Sequence, residues 1–224
     1  MFSHLFKPTY ASLLSIRNAA AIILLLNSPA LADPITLVAF GDSLTQGYGL
    51  PPQDGFVPQL QAWLTAAGED VVVINAGVSG DTTAGGASRI DWTLTPDVDA
   101  LIVNLGGNDM LRGIDPGVSK RNLDAILTAA DAKNLPVLLV SLRAPGNYGA
   151  EFKAAFDAMY GDLAAKHQDL LAENFFIPLI DQSSRLLDPA LMQADGIHPN
   201  AAGVATAIET LGPKVRELLA QVAK

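Results

Sequence analysis

Apolar positions alternate between short unbroken runs and longer stretches with helical spacing. Ile35 to Phe40 is a run of strand formers closed by Gly41. Phe56, Leu60, Trp63 and Leu64 recur at helical spacing over 56–67, and Gly68 supplies a stop. Val71 to Ile74 is β-branched throughout and predicts a strand buried on both faces. A helix over 83–94 is weakened by Gly85 and Gly86, and a third strand spans Ala100 to Leu105. Leu123, Ile126 and Leu127 share one face of a helix over 118–132. Pro136 to Leu142 reads as the fourth strand, and Phe152, Phe156, Met159 and Leu163 mark the clearest helix, over 150–167. A weaker fifth strand is expected over 175–180, at an edge because of Pro178. A last helix covers 201–223, interrupted near Gly212-Pro213. Alternation without repeats, linkers or charge blocks predicts one α/β domain over 33–224, a parallel sheet covered by helices on both faces.

Residues 1–32 do not fit this rhythm. Lys7 and Arg17 form a positive region, Ala19 to Leu26 is an apolar run of eight, and Ala30-Leu31-Ala32 is a small-x-small site. That three-part pattern predicts a cleaved signal peptide and an exported, periplasmic or secreted protein. The run is far shorter than the roughly 20 residues a spanning helix needs, so no stable membrane anchor is expected.

The composition of the 224 residues narrows the chemistry. Half are hydrophobic and 17% charged, as in a globular chain. With 14 basic against 23 acidic residues the net charge is −9, which argues against nucleic acid as a partner. The absence of cysteine removes thiolate nucleophiles, disulfides and cysteine-held metals.

In parallel sheets ligands bind beyond the carboxyl ends of the strands. Three such ends carry small, polar, glycine-rich loops: Gly41-Asp42-Ser43-Leu44-Thr45, Asn75 to Thr82, and Gly106-Gly107-Asn108-Asp109. A fourth element, Asp195-Gly196-Ile197-His198-Pro199-Asn200, lies near the C-terminus. Beyond residue 32 the only histidines are His167 and His198. His167 ends a helix, where a solvated imidazole complements the dipole. His198 lies in a loop three residues after Asp195, so one loop supplies a base and the carboxylate that orients it. A serine hydroxyl needs such a base to become a nucleophile. Ser43, His198 and Asp195 are therefore the candidate catalytic residues. The backbone N–H groups of Ser43 and Gly80 and the side-chain amide of Asn108 are candidate oxyanion donors.

The blocks GDSLT at 41–45, SGDT at 79–82, GGND at 106–109 and DGIHPN at 195–200 resemble the four blocks of the SGNH (GDSL) hydrolases, in order. GGNDMLRG at 106–113 and PGNYG at 145–149 resemble the periplasmic thioesterase I, lysophospholipase and arylesterase branch. The resemblance implies a flavodoxin-like α/β/α sandwich with five parallel strands. It also implies hydrolysis of carboxylic esters and thioesters of short-to-medium acyl or aryl type through an acyl-serine intermediate. No cofactor and no metal is called for, and the expected partner is a small acyl or aryl ester, a lysophospholipid among them. Tyr148, with Asn147 and Gly146, is a candidate wall of the acyl or aryl groove, and Gly47 to Leu50 is a second. Arg112 is placed either to attract an anionic head group or to pair with a local acid.

Three other readings compete. A metallophosphoesterase would use Asp42, Asp109, Asp195 and His198, but such sites normally draw on more histidines. A non-catalytic carbohydrate or lipid binder would be expected to have lost one of the four blocks. A carbohydrate acetylesterase would share the core residues but should expose several aromatics, whereas Trp63 and Trp92 both occupy helix positions that read as structural.

Overall fold

A computed structural model describes residues 33–222. The N-terminal segment expected to be a signal peptide lies outside the described residues. Five strands form one sheet in the order β2-β1-β3-β4-β5, with β1 at Ile35–Gly41, β2 at Val71–Gly77, β3 at Ala100–Asn104, β4 at Val137–Val140 and β5 at Leu170–Ala172. Every neighbouring pair is parallel. This is the flavodoxin-like order expected from the resemblance.

The helices are α1 (Ser43–Gln46), α2 (Phe56–Ala66), α3 (Thr83–Thr93), α4 (Gly107–Leu111), α5 (Pro116–Asp131), α6 (Ala150–His167) and α7 (Ala201–Leu219). On one face α2 packs against α7; on the other α3, α5 and α6 pack in series. The central strands are buried throughout: all of β3 and β4 and the stretch Leu37 to Phe40 of β1. Their near-continuous apolar runs follow from helices on both sides. Among the described residues no helix is long and apolar enough to cross a membrane.

Four expectations need correction. First, the fifth strand is Leu170–Ala172, not 175–180. Pro178 has no N–H to give a ladder, and Ile177–Leu179 winds into a 3-10 turn instead. Second, β2 is not buried on both faces: Val72 and Ile74 are 44% and 43% exposed. β2 is an edge strand, and α3 sits over β1 and β3, with Gly86 against Phe40 and Leu105. Third, α7 runs unbroken through Pro213. Gly212 there receives the Trp63 ring, 2.6 Å from where a Cβ would stand, so a wider side chain would force α2 and α7 apart. Fourth, Trp63 is structural as expected, but Trp92 is 87% exposed.

Candidate active site

The four polar loops meet above the carboxyl ends of β1, β2 and β3. Chain direction in a parallel sheet forces this, because every strand delivers its following loop to the same edge. β1 ends at Gly41, where an added Cβ would strike Thr45 Oγ1 and the Asn104 carbonyl. Asp42 then caps the short helix α1 by accepting from the Leu44 amide at 3.1 Å, and Ser43 is its first residue.

His198 reaches the serine from the other side. Asp195 Oδ1 accepts the amides of Ile197 and His198 at 2.9 and 3.0 Å, which closes the DGIH turn. Asp195 Oδ2 lies 2.6 Å from His198 Nδ1, and His198 Nε2 lies 2.8 Å from Ser43 Oγ. The His198 amide and imidazole hold the Asp195 carboxyl down to about 2. An ionised Asp195 only accepts, so Nδ1 carries the proton and Nε2 presents its lone pair to the Ser43 hydroxyl. The Tyr48 ring packs on the imidazole with centroids 4.8 Å apart.

Ser43, Gly80 and Asn108 line one cleft of about 760 Å³ together with His198. Among the described residues the Ser43 and Gly80 amides donate to no protein acceptor. The Asn108 amide makes only a long 3.5 Å contact to Asp42. Burial raises the Asp42 carboxyl to about 6, against the Leu44 amide, the His198 charge and the Asn108 amide, which lower it. The loop bearing Asn108 starts at Gly106, whose φ of 116° is open to glycine and whose missing side chain makes room for Tyr160 Oη. Asp109, fully buried, accepts from the Thr83 amide at 2.8 Å, from the Thr83 hydroxyl and from Ser119 Oγ at 2.9 Å. It thereby ties that loop to α3 and α5.

The four acidic and imidazole groups of the metal alternative are thus spent separately. Asp109 holds Thr83 and Ser119, Asp42 holds Leu44, and Asp195 holds His198. Among the described residues no group of three or more potential ligands is placed to hold a metal ion.

The predicted groove walls are only partly where the sequence put them. Tyr48 lines the cleft, but Tyr148, Asn147 and Gly146 do not; their loop contributes Pro145. Tyr148 turns away, donates its hydroxyl to the Leu111 carbonyl at 3.1 Å and packs on Phe152. The wall comes instead from Met110, Leu111, Leu142 and Phe176, and from a hairpin over 180–187 closed by an Ile180–Leu187 bridge. Among the described residues Arg112 pairs with no acid; it donates to the Gly80 carbonyl at 2.9 Å and braces that loop. Trp92, though exposed, does not line the cleft.

Two supporting residues escaped the sequence reading. Gln193 donates its side-chain amide to the Tyr48 carbonyl (2.8 Å) and the Pro199 carbonyl (3.0 Å), joining the serine and histidine loops. Arg89 donates to Asp81 and to the Ala76 and Gly41 carbonyls, all within 2.9 Å, with its guanidinium over the Phe40 ring. A polar side chain just ahead of the DGIHPN block was the one available signal for Gln193; a lone arginine inside a glycine-rich helix was the signal for Arg89.

The chain is similar to several known proteins. Residues 39–205 match the model of the GDSL-like lipase/acylhydrolase family. The chain is 38% identical to esterase TesA of Pseudomonas aeruginosa over 88% of this chain and 94% of that protein. It is 37% identical to thioesterase 1/protease 1/lysophospholipase L1 of Escherichia coli over 80% and 81% of the two chains. Among solved structures it resembles the psychrotrophic esterase EstA from Pseudoalteromonas sp., inhibited by monoethylphosphonate. The TM-score is 0.74 at 28% identity, covering 83% of this chain and 99% of that one.

Proposed function

This chain belongs to the GDSL-like lipase/acylhydrolase family and is an ester hydrolase, and from that premise we propose that Ser43, His198 and Asp195 are its catalytic triad. The observation that carries this is the unbroken relay Ser43 Oγ–His198–Asp195, with links of 2.8 and 2.6 Å, opening into a largely apolar cleft.

Ser43 Oγ attacks the ester or thioester carbonyl while His198 Nε2 takes its proton. Asp195 stabilises the imidazolium that results. The carbonyl oxygen becomes an oxyanion, which the Ser43 and Gly80 amides and the Asn108 side chain stabilise; one such donor is worth roughly 10²- to 10³-fold in rate. The tetrahedral intermediate collapses as His198 returns the proton to the leaving alcohol or thiol, leaving an acyl-serine. Water, deprotonated by His198, then releases the acid and restores the serine.

The cleft suits short-to-medium acyl or aryl esters and thioesters, lysophospholipids among them. Residues 1–32 act as a cleaved signal, so the working enzyme begins at Asp33 and acts in the periplasm or outside the cell. Intact mass of the exported protein tests this: a chain retaining residues 1–32 would refute it.

The deciding experiment compares the protein with its Ser43→Ala variant on p-nitrophenyl esters from acetyl to palmitoyl, with and without chelator. Turnover that falls at least 10⁴-fold in the variant and ignores chelator is expected. Equal activity of the two proteins would refute the assignment of Ser43.

A further inference from the structure

We propose that the cleft selects substrates carrying an anionic oxygen group joined to the scissile ester by an apolar arm, and that Arg143 and Arg185 hold that group. The inference rests on the esterase reading above and names the substrate class of the same site.

The cleft starts at Ser43 and His198, beyond β1, and extends past β3 to the loops that follow β4 and β5. Neighbouring strands lie about 4.8 Å apart, so the β4 loop is on the order of 10 Å from the nucleophile. The wall over that distance is apolar, formed by Met110, Leu142 and Phe176 among others. At its far end stand three cations: Arg143 after β4, Lys153 from α6 and Arg185 on the hairpin 180–187.

Only Lys153 is neutralised there, 2.7 Å from Asp157 and 2.6 Å from the Ala144 carbonyl. Among the described residues neither Arg143 nor Arg185 forms an ion pair, and of the three cations lining the cleft these two alone are unpaired; elsewhere Arg112, Arg121 and Lys133 are also without a carboxylate, whereas Arg89, Lys120, Lys166, Lys214 and Arg216 pair with one. Two nearby acids are already engaged. Asp157 also accepts the Ala144 amide at 2.8 Å. Asp181, in the hairpin of Arg185, accepts the Ser183 and Ser184 amides at 2.9 and 2.7 Å.

A chain with more acids than bases has thus kept two guanidiniums free at one end of its substrate cleft. A guanidinium is charged at every working pH, and its planar fork matches a carboxylate or a phosphate. Beside apolar walls its attraction for an anion is screened less than in bulk water. Two positions on the substrate would satisfy this chemistry. One is a carboxylate at the far end of the acyl chain; the other is a phosphate on the leaving group.

Two matched substrate pairs distinguish them. p-Nitrophenyl octanoate is set against mono-p-nitrophenyl suberate, and a 1-acylglycerol against the 1-acyl lysophosphatidic acid of equal chain length. kcat/KM is measured for the protein, for Arg143→Gln, for Arg185→Gln and for the double variant, at low and high salt. The ratio of anionic to neutral substrate within each protein is the readout, so a partly unfolded variant still reports. In the unaltered protein one pair should show a preference of about tenfold for the anion, equivalent to about 1.4 kcal/mol. That preference should fall towards unity in the double variant and in high salt. The pair that responds identifies the source of the anion. Ratios near unity for both pairs in the unaltered protein, or a preference that survives in the double variant, overturn the proposal. Failure to hydrolyse any neutral ester would overturn the esterase reading beneath it.

Discussion

The two histidines of the described chain each sit against aspartate, and they end in opposite chemistry. His198 meets one carboxylate, Asp195, through Nδ1 and offers Nε2 to Ser43 Oγ. His167 meets two: Asp131 at 2.6 Å through Nδ1 and Asp124 at 2.7 Å through Nε2. With both ring nitrogens facing carboxylates, His167 must donate twice and be an imidazolium. It has no free lone pair and no nucleophile beside it. Its side chain is 4% exposed while the two carboxylates are 33% and 45% exposed, so the expected solvated helix end is instead an ionic knot at the seam of α5 and α6. The partner of the second nitrogen, and not proximity to aspartate, separates an imidazole with an available lone pair from a structural cation.

Replacing each histidine by glutamine should break this symmetry cleanly. In the relay, His198→Gln should cost about 10⁴-fold or more in kcat with little change in the unfolding midpoint. His167→Gln should leave kcat alone and cost about 1 kcal/mol of stability near pH 6, since it leaves the partly exposed Asp131 without its cation while Lys166 still holds Asp124. Burial opposes the charge on His167, but Asp131 and Asp124 prevail and raise its pKa above 6.5. A raised histidine contributes fully below the unfolded value of 6.5 and loses that contribution as pH climbs through the folded value. The glutamine penalty should therefore shrink between pH 6 and pH 9 in paired thermal unfolding curves. A penalty that is flat with pH would mean that packing, and not charge, is what His167 supplies.

The relay was legible from sequence and the knot was not, for a physical reason. Asp195 and His198 are three residues apart, and their turn is closed by local amide bonds. His167 and Asp124 are separated by 43 residues and meet only because α5 and α6 pack side by side. The same division runs through the fold. Strands β1, β3 and β4 were visible because burial on both faces makes their apolar runs continuous. β5 was misplaced because only three residues pair, and the richer run at 175–180 lies just beyond it. The groove wall was assigned to Tyr148, whose glycine neighbours look like a site loop. Which way that ring turns depends on Leu111 and Phe152, and no local pattern encodes that.

Gln193 shows how one long-range contact supports the local motif. Its bond to the Tyr48 carbonyl joins residues 145 apart in the chain, and its bond to the Pro199 carbonyl fastens the same amide to the histidine loop. Its own amide also donates to the His198 carbonyl at 2.8 Å. Gln193→Leu should free the histidine loop and lower kcat about tenfold while KM stays nearly constant, because small misplacements of a base are costly. An equal loss in KM and kcat would point to a collapsed cleft and not to a misaligned imidazole. A fall in the unfolding midpoint as large as that of His167→Gln would assign Gln193 a structural role.

The smallest expected effect lies beside the knot. Asp169 follows His167 closely in sequence, and its Oδ2 is buried without a partner. Burial, aided by the Asp131 charge and opposed by His167, raises its carboxyl from 3.8 to about 6. An acid raised in the folded state favours folding while protonated, so stability is lost as pH rises from about 4 through 6. At pH 7.5 the ionised group opposes the fold, and Asp169→Asn should stabilise the protein by about 1 kcal/mol. At pH 4 the gain should vanish, because the wild-type carboxyl is then largely neutral when folded. The signs of the two variants differ: near the same knot, removing His167 weakens the protein and removing the Asp169 charge strengthens it. Burial of the Asp169 charge comes first and an excess negative charge adds to it, since three carboxylates, those of Asp124, Asp131 and Asp169, lie near one imidazolium, and Lys166 at 2.6 Å balances Asp124 alone. A gain for Asp169→Asn that persisted undiminished at pH 4 would exclude that account and leave amide packing as the cause.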